Sequence, residues 1–141
     1  MFRQPLNLSR EKLVSQGFAF KCILHGYNES MEGYLARLTH LTLNEQNIGR
    51  IDMLRMTPGV RVLYLYDNVI RRMNAFDSLT KLTHLYLQNN LIERITGLER
   101  LTSLTKLYLD GNRISYVDGL ERCGNLEELH VSGGALQVKS S

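Results

Sequence analysis

Four histidines and two cysteines are the residues of this 141-residue chain suited to holding a metal or carrying redox chemistry. Cys22 and Cys123 stand far apart without Cys-x-x-Cys spacing, so no metal pair or dithiol couple is built. Both are expected to be reduced and partly buried. His40 and His84 lie two 22-residue periods apart, which on stacked strands separates their Cα atoms by roughly 10 Å. That is too far for easy sharing of one ion. Lys106, Asp110 and His130 fall close enough to cluster, but on an open face without the enclosed pocket that shifts pKa values usefully. No GxGxxG, GxxxxGK[ST], GxSxG or HExxH motif occurs. The expectation is a chain with no catalytic residue, no metal and no cofactor. The spacing that does stand out is that of the tyrosines. Tyr64, Tyr86 and Tyr108 recur every 22 residues, and a row of such side chains offers rigid apolar area with a hydroxyl handle, which is the chemistry of protein binding.

The elements that position them follow from self-similarity along the chain. Segments beginning at Leu38, Val60, Leu82, Leu104 and Leu126 read LTHLTLNEQNI, VRVLYLYDNVI, LTHLYLQNNLI, LTKLYLDGNRI and LEELHVSGGAL. Their common form, LxxLxLxxNxI at an unbroken period of 22, is a leucine-rich-repeat frame. Alternation of period two in each LxLx stretch predicts a short strand with Leu41/Leu43, Leu63/Leu65, Leu85/Leu87, Leu107/Leu109 and Leu129/Val131 turned inward. Asn68, Asn90 and Asn112 stand where the chain leaves the sheet, and their amides are expected to satisfy turn backbone as a ladder. Ile48, Ile70, Ile92 and Ile114 then begin the return leg. The Gly97–Arg100 and Gly119–Arg122 stretches predict single helical or 3-10 turns, since 22 residues leave no room for more. Thr57 and Cys123 replace the leucine found at Leu79 and Leu101, so those coils are expected to bury less.

The fold class read from this pattern is an α/β solenoid. It is a right-handed horseshoe with a parallel concave β-sheet and short convex turns, built from repeats 38–59, 60–81, 82–103, 104–125 and a partial 126–141. Residues 1–37 do not fit the frame and are expected to form an N-terminal helical cap, with Ser9 as an N-cap. Asn28–Leu38 reads as the convex half of a degenerate repeat, and Gly17–Leu24 as a buried packing segment. The last strand, at Leu126–Val131, is left as an open edge. Either a partner covers it or the chain is a fragment of something longer, and the fragment is the favoured expectation.

On the concave side one column reads Thr42, Tyr64, Tyr86, Tyr108, His130. The column before it is His40, Val62, His84, Lys106, Glu128, and the one after is Asn44, Tyr66, Gln88, Asp110, Ser132. Glu45, Asp67 and Asn89 follow at the strand ends. Stacked aromatic neighbours also stabilise a sheet by roughly 0.2–1 kcal/mol per pair without binding anything. A whole column on an open face nevertheless favours a protein-binding site, with Asp67, Gln88, Lys106 and Asp110 as its polar rim.

Charge and hydropathy narrow the partner. The net charge of +3 comes with no run of five or more Lys/Arg, so nucleic acid is not expected. No apolar run approaches the ~20 residues that span a bilayer, and Met1–Asn7 is not a secretory signal, so membrane association is not expected either. The expected compartment is cytoplasmic, with the nucleus an alternative.

Five stretches, Val62–Asn68, Thr83–Asn90, Lys106–Asn112, Gly119–Glu121 and Glu128–Val131, carry a finer likeness. With their Ile-x-Gly-Leu-x-x-Leu return legs, they resemble the leucine-rich-repeat family of protein phosphatase 1 regulators over about residues 30–136. The resemblance implies a non-catalytic regulator or scaffold that holds the protein phosphatase 1 catalytic subunit on its concave face. It also implies association with the cytoskeleton at the centrosome, basal body, cilium or flagellum. The residues carried over are Tyr64, Tyr66, Asp67, His84, Tyr86, Gln88, Tyr108, Asp110 and His130. Gly133-Gly134 stands where that family has polar residues. The alternative reading is a cytoskeletal adaptor of the axoneme or basal body for microtubule or motor-associated proteins, with Arg71, Arg72 and Arg94 facing acidic, tubulin-like surfaces.

Overall fold

The computed structural model describes residues 6–7 and 30–133. Five three-residue strands form one parallel sheet: β2 (His40–Thr42), β4 (Val62–Tyr64), β5 (His84–Tyr86), β6 (Lys106–Tyr108) and β7 (Glu128–His130). Register advances by one repeat at every step, pairing Leu41, Leu63, Leu85, Leu107 and Leu129 in a single row. Each rung hands on the same bond. Leu43 N donates to Tyr64 O, Leu65 N to Tyr86 O and Leu87 N to Tyr108 O, all at 2.8 Å. The horseshoe-type solenoid read from the period is the fold of the protein.

The inward leucines form a continuous core. Leu63, Leu65, Leu85, Leu87, Leu107 and Leu109 are all fully buried, joined from the return legs by Ile70, Phe76, Leu79, Ile92, Leu98, Leu101 and Ile114. Burial of each leucine depends on the coil above and the coil below, the mutual cover that makes stacked repeats stable. The last strand, expected as an open edge, shows the same dependence. Leu129 remains 39% exposed and Val131 only half-buried, because no further described coil lies over them.

The turn out of each strand is held by asparagine, as the frame predicts. Nδ2 of Asn68 donates to the carbonyls of Leu43 and Leu65, each at 2.9 Å, while Oδ1 accepts from the backbone of Gln46 and Ile48. Asn90 and Asn112 repeat the arrangement one and two rungs on. All three are buried, and their bonds make them tolerable there.

The convex legs are single turns closed by i to i+3 bonds: Leu79 N to Phe76 O, Leu101 N to Leu98 O, Cys123 N to Leu120 O. Among the described residues only the first repeat extends this into a 3-10 helix, at Asp52–Met56. Thr57 and Cys123 are smaller than leucine, but both are buried. The Thr57 hydroxyl donates to Leu54 O at 2.8 Å, and the Cys123 thiol meets Leu98 O at 3.7 Å. Burial together with the nearby Glu99 and Glu121 raises the Cys123 pKa. Neither small side chain is itself open to water, although the Cys123 coil leaves Val117 45% exposed and Leu120 half-buried where Ile95 and Leu98 are buried.

Ahead of the first strand lies helix α1 (Met31–Ala36), whose N-terminus is capped by Ser30 Oγ accepting from Gly33 N at 3.1 Å. Tyr34 and Leu35 close over the first coil of the core. An element without a signal in the frame is a second parallel pairing, of β1 (Leu6–Asn7) with β3 (Ile48–Arg50). The expected Ser9 helix, the Gly17–Leu24 segment and Cys22 lie outside the described residues.

Candidate protein-binding face

Between inward leucines every strand projects one side chain onto the concave face, and the unshifted register stacks them. Tyr64 lies 4.8 Å from Tyr86 between ring centroids, with 13° between planes. Tyr86 and Tyr108 are 4.8 Å apart at 15°, and Tyr108 and His130 are 4.6 Å apart at 16°. These separations fall at the short end of the range aromatic pairs occupy. The strand spacing itself, roughly 4.8 Å, is what sets them. Tyr66 stands edge-on to Tyr64, at 6.5 Å and 88°. His84 flanks Tyr86 at 6.5 Å and takes a 2.8 Å bond between its Nδ1 and the Thr83 hydroxyl.

The predicted polar rim is present and mostly engaged. Lys106 Nζ pairs with Glu128 Oε1 at 3.3 Å, and Glu128 Oε2 accepts from the Tyr108 hydroxyl at 2.5 Å. That bond, reinforced by partial desolvation and by the carboxylate's charge, pushes the Tyr108 pKa up to about 12. The same bond, helped by Lys106, lowers that of Glu128. Asp67 accepts from Asn89 Nδ2 at 2.8 Å, and Asp110 from Ser132 Oγ at 2.7 Å. Gln88 keeps its Oε1 buried without a hydrogen-bond donor.

All ten predicted site residues therefore share one surface: Tyr64, Tyr66, Asp67, His84, Tyr86, Gln88, Lys106, Tyr108, Asp110 and His130. Chemically it is an aromatic stack with carboxylates beside it, and among the described residues no three His, Cys, Asp or Glu side chains gather to hold a metal. Three residues read as outward-facing, but not counted among the site residues, take part in the hydrogen bonds of this face. Glu128 locks the C-terminal end, while Asn89 and Ser132 hold the two aspartates. Their signal was the period itself, since Asn89 is 22 residues beyond Asp67 and Ser132 is 22 beyond Asp110.

A backbone feature orients the strand ends. The residue just before Asn68, Asn90 and Asn112, and before Gln46 and Gly134 that take their place in the end repeats, adopts positive φ: Glu45 at 55°, Asp67 at 55°, Asn89 at 54°, Gly111 at 71° and Gly133 at 87°. Glycine, asparagine and aspartate accept this conformation most readily. Gly133 thus continues a conformational column of the fold.

Comparison with known proteins follows the same lines. Residues 36–92 and 72–114, together more than half of the chain, match the leucine rich repeat family. Among solved structures, an internalin (inlF) of Listeria monocytogenes aligns with TM-score 0.63 and 29% identity, over 67% of this chain and 28% of that one. An internalin C2 (inlC2) of the same organism aligns with TM-score 0.66 and 29% identity, over 72% of this chain and 44% of that one. The functional domain of InlJ, also from Listeria monocytogenes, shares the fold at TM-score 0.50 and 22% identity, covering 71% of this chain and 26% of that one. This chain spans less than half the length of each of these structures.

Proposed function

The chain belongs to the leucine-rich-repeat family, whose open sheets serve protein–protein interaction, and from that premise we propose that it holds the protein phosphatase 1 catalytic subunit on its concave face. The observation that carries the reading is the stacked Tyr64–Tyr86–Tyr108 column, half-exposed on an open parallel sheet. Large aromatic side chains with few rotatable bonds lose little entropy when a partner covers them, which is why such residues dominate binding energy at interfaces. The hydroxyl of Tyr108 is spent on Glu128, while those of Tyr64 and Tyr86 have no protein partner among the described residues. Support for the phosphatase in particular comes from the resemblance carried by YLYDN and THLYLQNN. Binding rather than catalysis is the activity an open face of this kind supports.

The test is capture of the phosphatase 1 catalytic subunit from lysate by the purified chain, beside a Tyr64→Ala/Tyr86→Ala variant. We expect the wild-type chain to retain the phosphatase and the variant to lose it with its circular dichroism unchanged. Retention by the variant would sink the concave-face assignment.

A second reading rests on Arg72. It stands one repeat from both Arg50 and Arg94 and has no carboxylate within ion-pair distance among the described residues, whereas Arg50 pairs with Asp52 at 3.0 Å and Arg94 with Asp118 at 3.9 Å. A basic flank of this kind suits an acidic, tubulin-like surface at the cytoskeleton. Co-sedimentation with microtubules that weakens as salt rises would support it, and failure to sediment at low salt would remove it.

A further inference from the structure

The concave face carries a charge opposite to that of the chain. Its outward columns and strand ends hold Glu45, Asp67, Asp110 and Glu128 against Lys106 alone; four acids less one base is a net of −3, on a chain whose total is +3 with histidine neutral in both counts. Lys106 and Glu128 neutralise each other at 3.3 Å. Glu45, Asp67 and Asp110 remain, and none of them has a cation within ion-pair distance among the described residues. Glu45 and Asp67 occupy the same position of adjacent repeats, each at a strand end with positive φ, so two like charges are held side by side. Uncompensated neighbours of one sign are unfavourable in the free protein and favourable only when a counter-charge arrives.

The aromatic geometry beside this pair is asymmetric in a way that fits a cation. Tyr86 covers one face of Tyr64, but on the other side the register places Thr42, too small to cover a ring. Tyr66 stands perpendicular to Tyr64 and forms a second wall. The stack thus runs from Tyr64, beyond which only Thr42 stands in register, to His130. A tyrosine face open to solvent, with carboxylates at the adjacent strand ends, is suited to a guanidinium. Its plane stacks on the ring while its fork engages the acids, which a lysine ammonium does less well.

Spacing adds a second contact. Asp110 lies two rungs beyond Asp67 and one residue back along the strand, which at ~4.8 Å per rung and ~3.3 Å per residue puts the two Cα atoms roughly 10 Å apart. A polyproline-II segment rises ~3.1 Å per residue and returns to the same side every third residue, so residues i and i+3 lie ~9.3 Å apart on one face. We propose that the concave face binds an extended basic segment of its partner. One arginine seats against Tyr64 and Tyr66 with its charge on Glu45 and Asp67, and a second arginine, three residues along, meets Asp110. This inference rests on the concave-face reading and names the chemistry of what that face takes.

The probe is the synthetic peptide acetyl-Pro-Arg-Pro-Pro-Arg-Pro-amide, titrated into the full chain and followed by nuclear magnetic resonance. Arginine before proline is held in the extended region, so the peptide presents the required spacing. We expect saturable shifts at Glu45, Tyr64, Tyr66, Asp67 and Asp110, and weakening by about tenfold, or 1.4 kcal/mol, when citrulline replaces both arginines. The Asp67→Asn variant should weaken binding similarly. Its side chain is near-isosteric, suits positive φ and can still accept from Asn89, so the fold is kept. Equal binding of the citrulline peptide, shifts confined to other surfaces, or indifference to Asp67→Asn overturns the inference. If the Tyr64/Tyr86 variant loses the phosphatase while the citrulline peptide binds as well as the arginine one, only the basic-segment inference falls. If the peptide binds as expected and the wild-type chain captures no phosphatase, only the phosphatase reading falls.

Discussion

The hydroxyl of Tyr108 donates to Oε2 of Glu128, one rung away, at 2.5 Å. A row of aromatic stacks thereby ends in a charge-assisted bond, with Lys106 on the other carboxylate oxygen. The pair fixes the C-terminal end of the concave face.

The signs of the two shifts set a pH window. Tyr108 has its folded-state pKa raised from 10.0 to about 12, so its contribution is fully present below pH 10 and is lost as pH rises toward 12. Glu128 has its pKa lowered, so its contribution is present above the ordinary carboxylate range and is lost as pH falls through the folded-state value. In an ultraviolet titration of the native chain we expect Tyr108 to ionise near pH 12, and Glu128→Gln to bring it back toward 10. A titration unchanged by that substitution would contradict the bond.

Asn90→Ala should cost about 3 kcal/mol in urea unfolding. It removes the donor to Leu65 O and Leu87 O and the acceptor for Ile70 N, leaving buried backbone groups unsatisfied. Asn89→Ala, one residue earlier but exposed, loses a bond to Asp67 and gives up a residue suited to positive φ; about 1 kcal/mol is expected. Equal losses would mean that the buried ladder is not what holds the turns.

One column of the convex side tests backbone strain. Ala75, Gly97 and Gly119 share positive φ at the same frame position. A Cβ on Gly97 would lie 2.3 Å from the carbonyl oxygen of Met73, so Gly97→Ala should destabilise by about 2–3 kcal/mol through left-handed strain plus that clash. Ala75→Gly relieves the strain already present and should raise the unfolding midpoint slightly, since added unfolded-state entropy offsets part of the gain. Calorimetry on the two variants gives shifts of opposite sign if the column is strained as described.

Core deletions should track position in the stack. Leu87→Ala, at a site buried under coils on both sides, should cost about 2–5 kcal/mol by cavity formation. Leu129→Ala, in the neighbouring row of inward leucines but 39% exposed, should cost less than half as much. Similar unfolding midpoints for the two variants would contradict the exposure of the last rung.

What the chain makes legible by itself is whatever repeats. The 22-residue period gives strand placement, the inward leucines, the buried asparagine ladder and the tyrosine column, because each depends on local alternation and on stacking one identical unit upon another. Tertiary structure decided what depends on the pairing of unlike parts. The β1–β3 sheet joins Leu6–Asn7 to Ile48–Arg50, two segments with no common pattern, so no periodicity announces it. The sequence marks Leu126–Val131 as an edge, but the degree to which Leu129 is exposed is not written in LEELHV, because burial in a solenoid is supplied by the next coil and not by the residue. The bonds from Asn89 to Asp67, from Ser132 to Asp110 and from Tyr108 to Glu128 join side chains 20 or 22 residues apart, and only an unshifted register brings them within reach. The period specifies the surface residues one by one. Stacking in register makes them a single face.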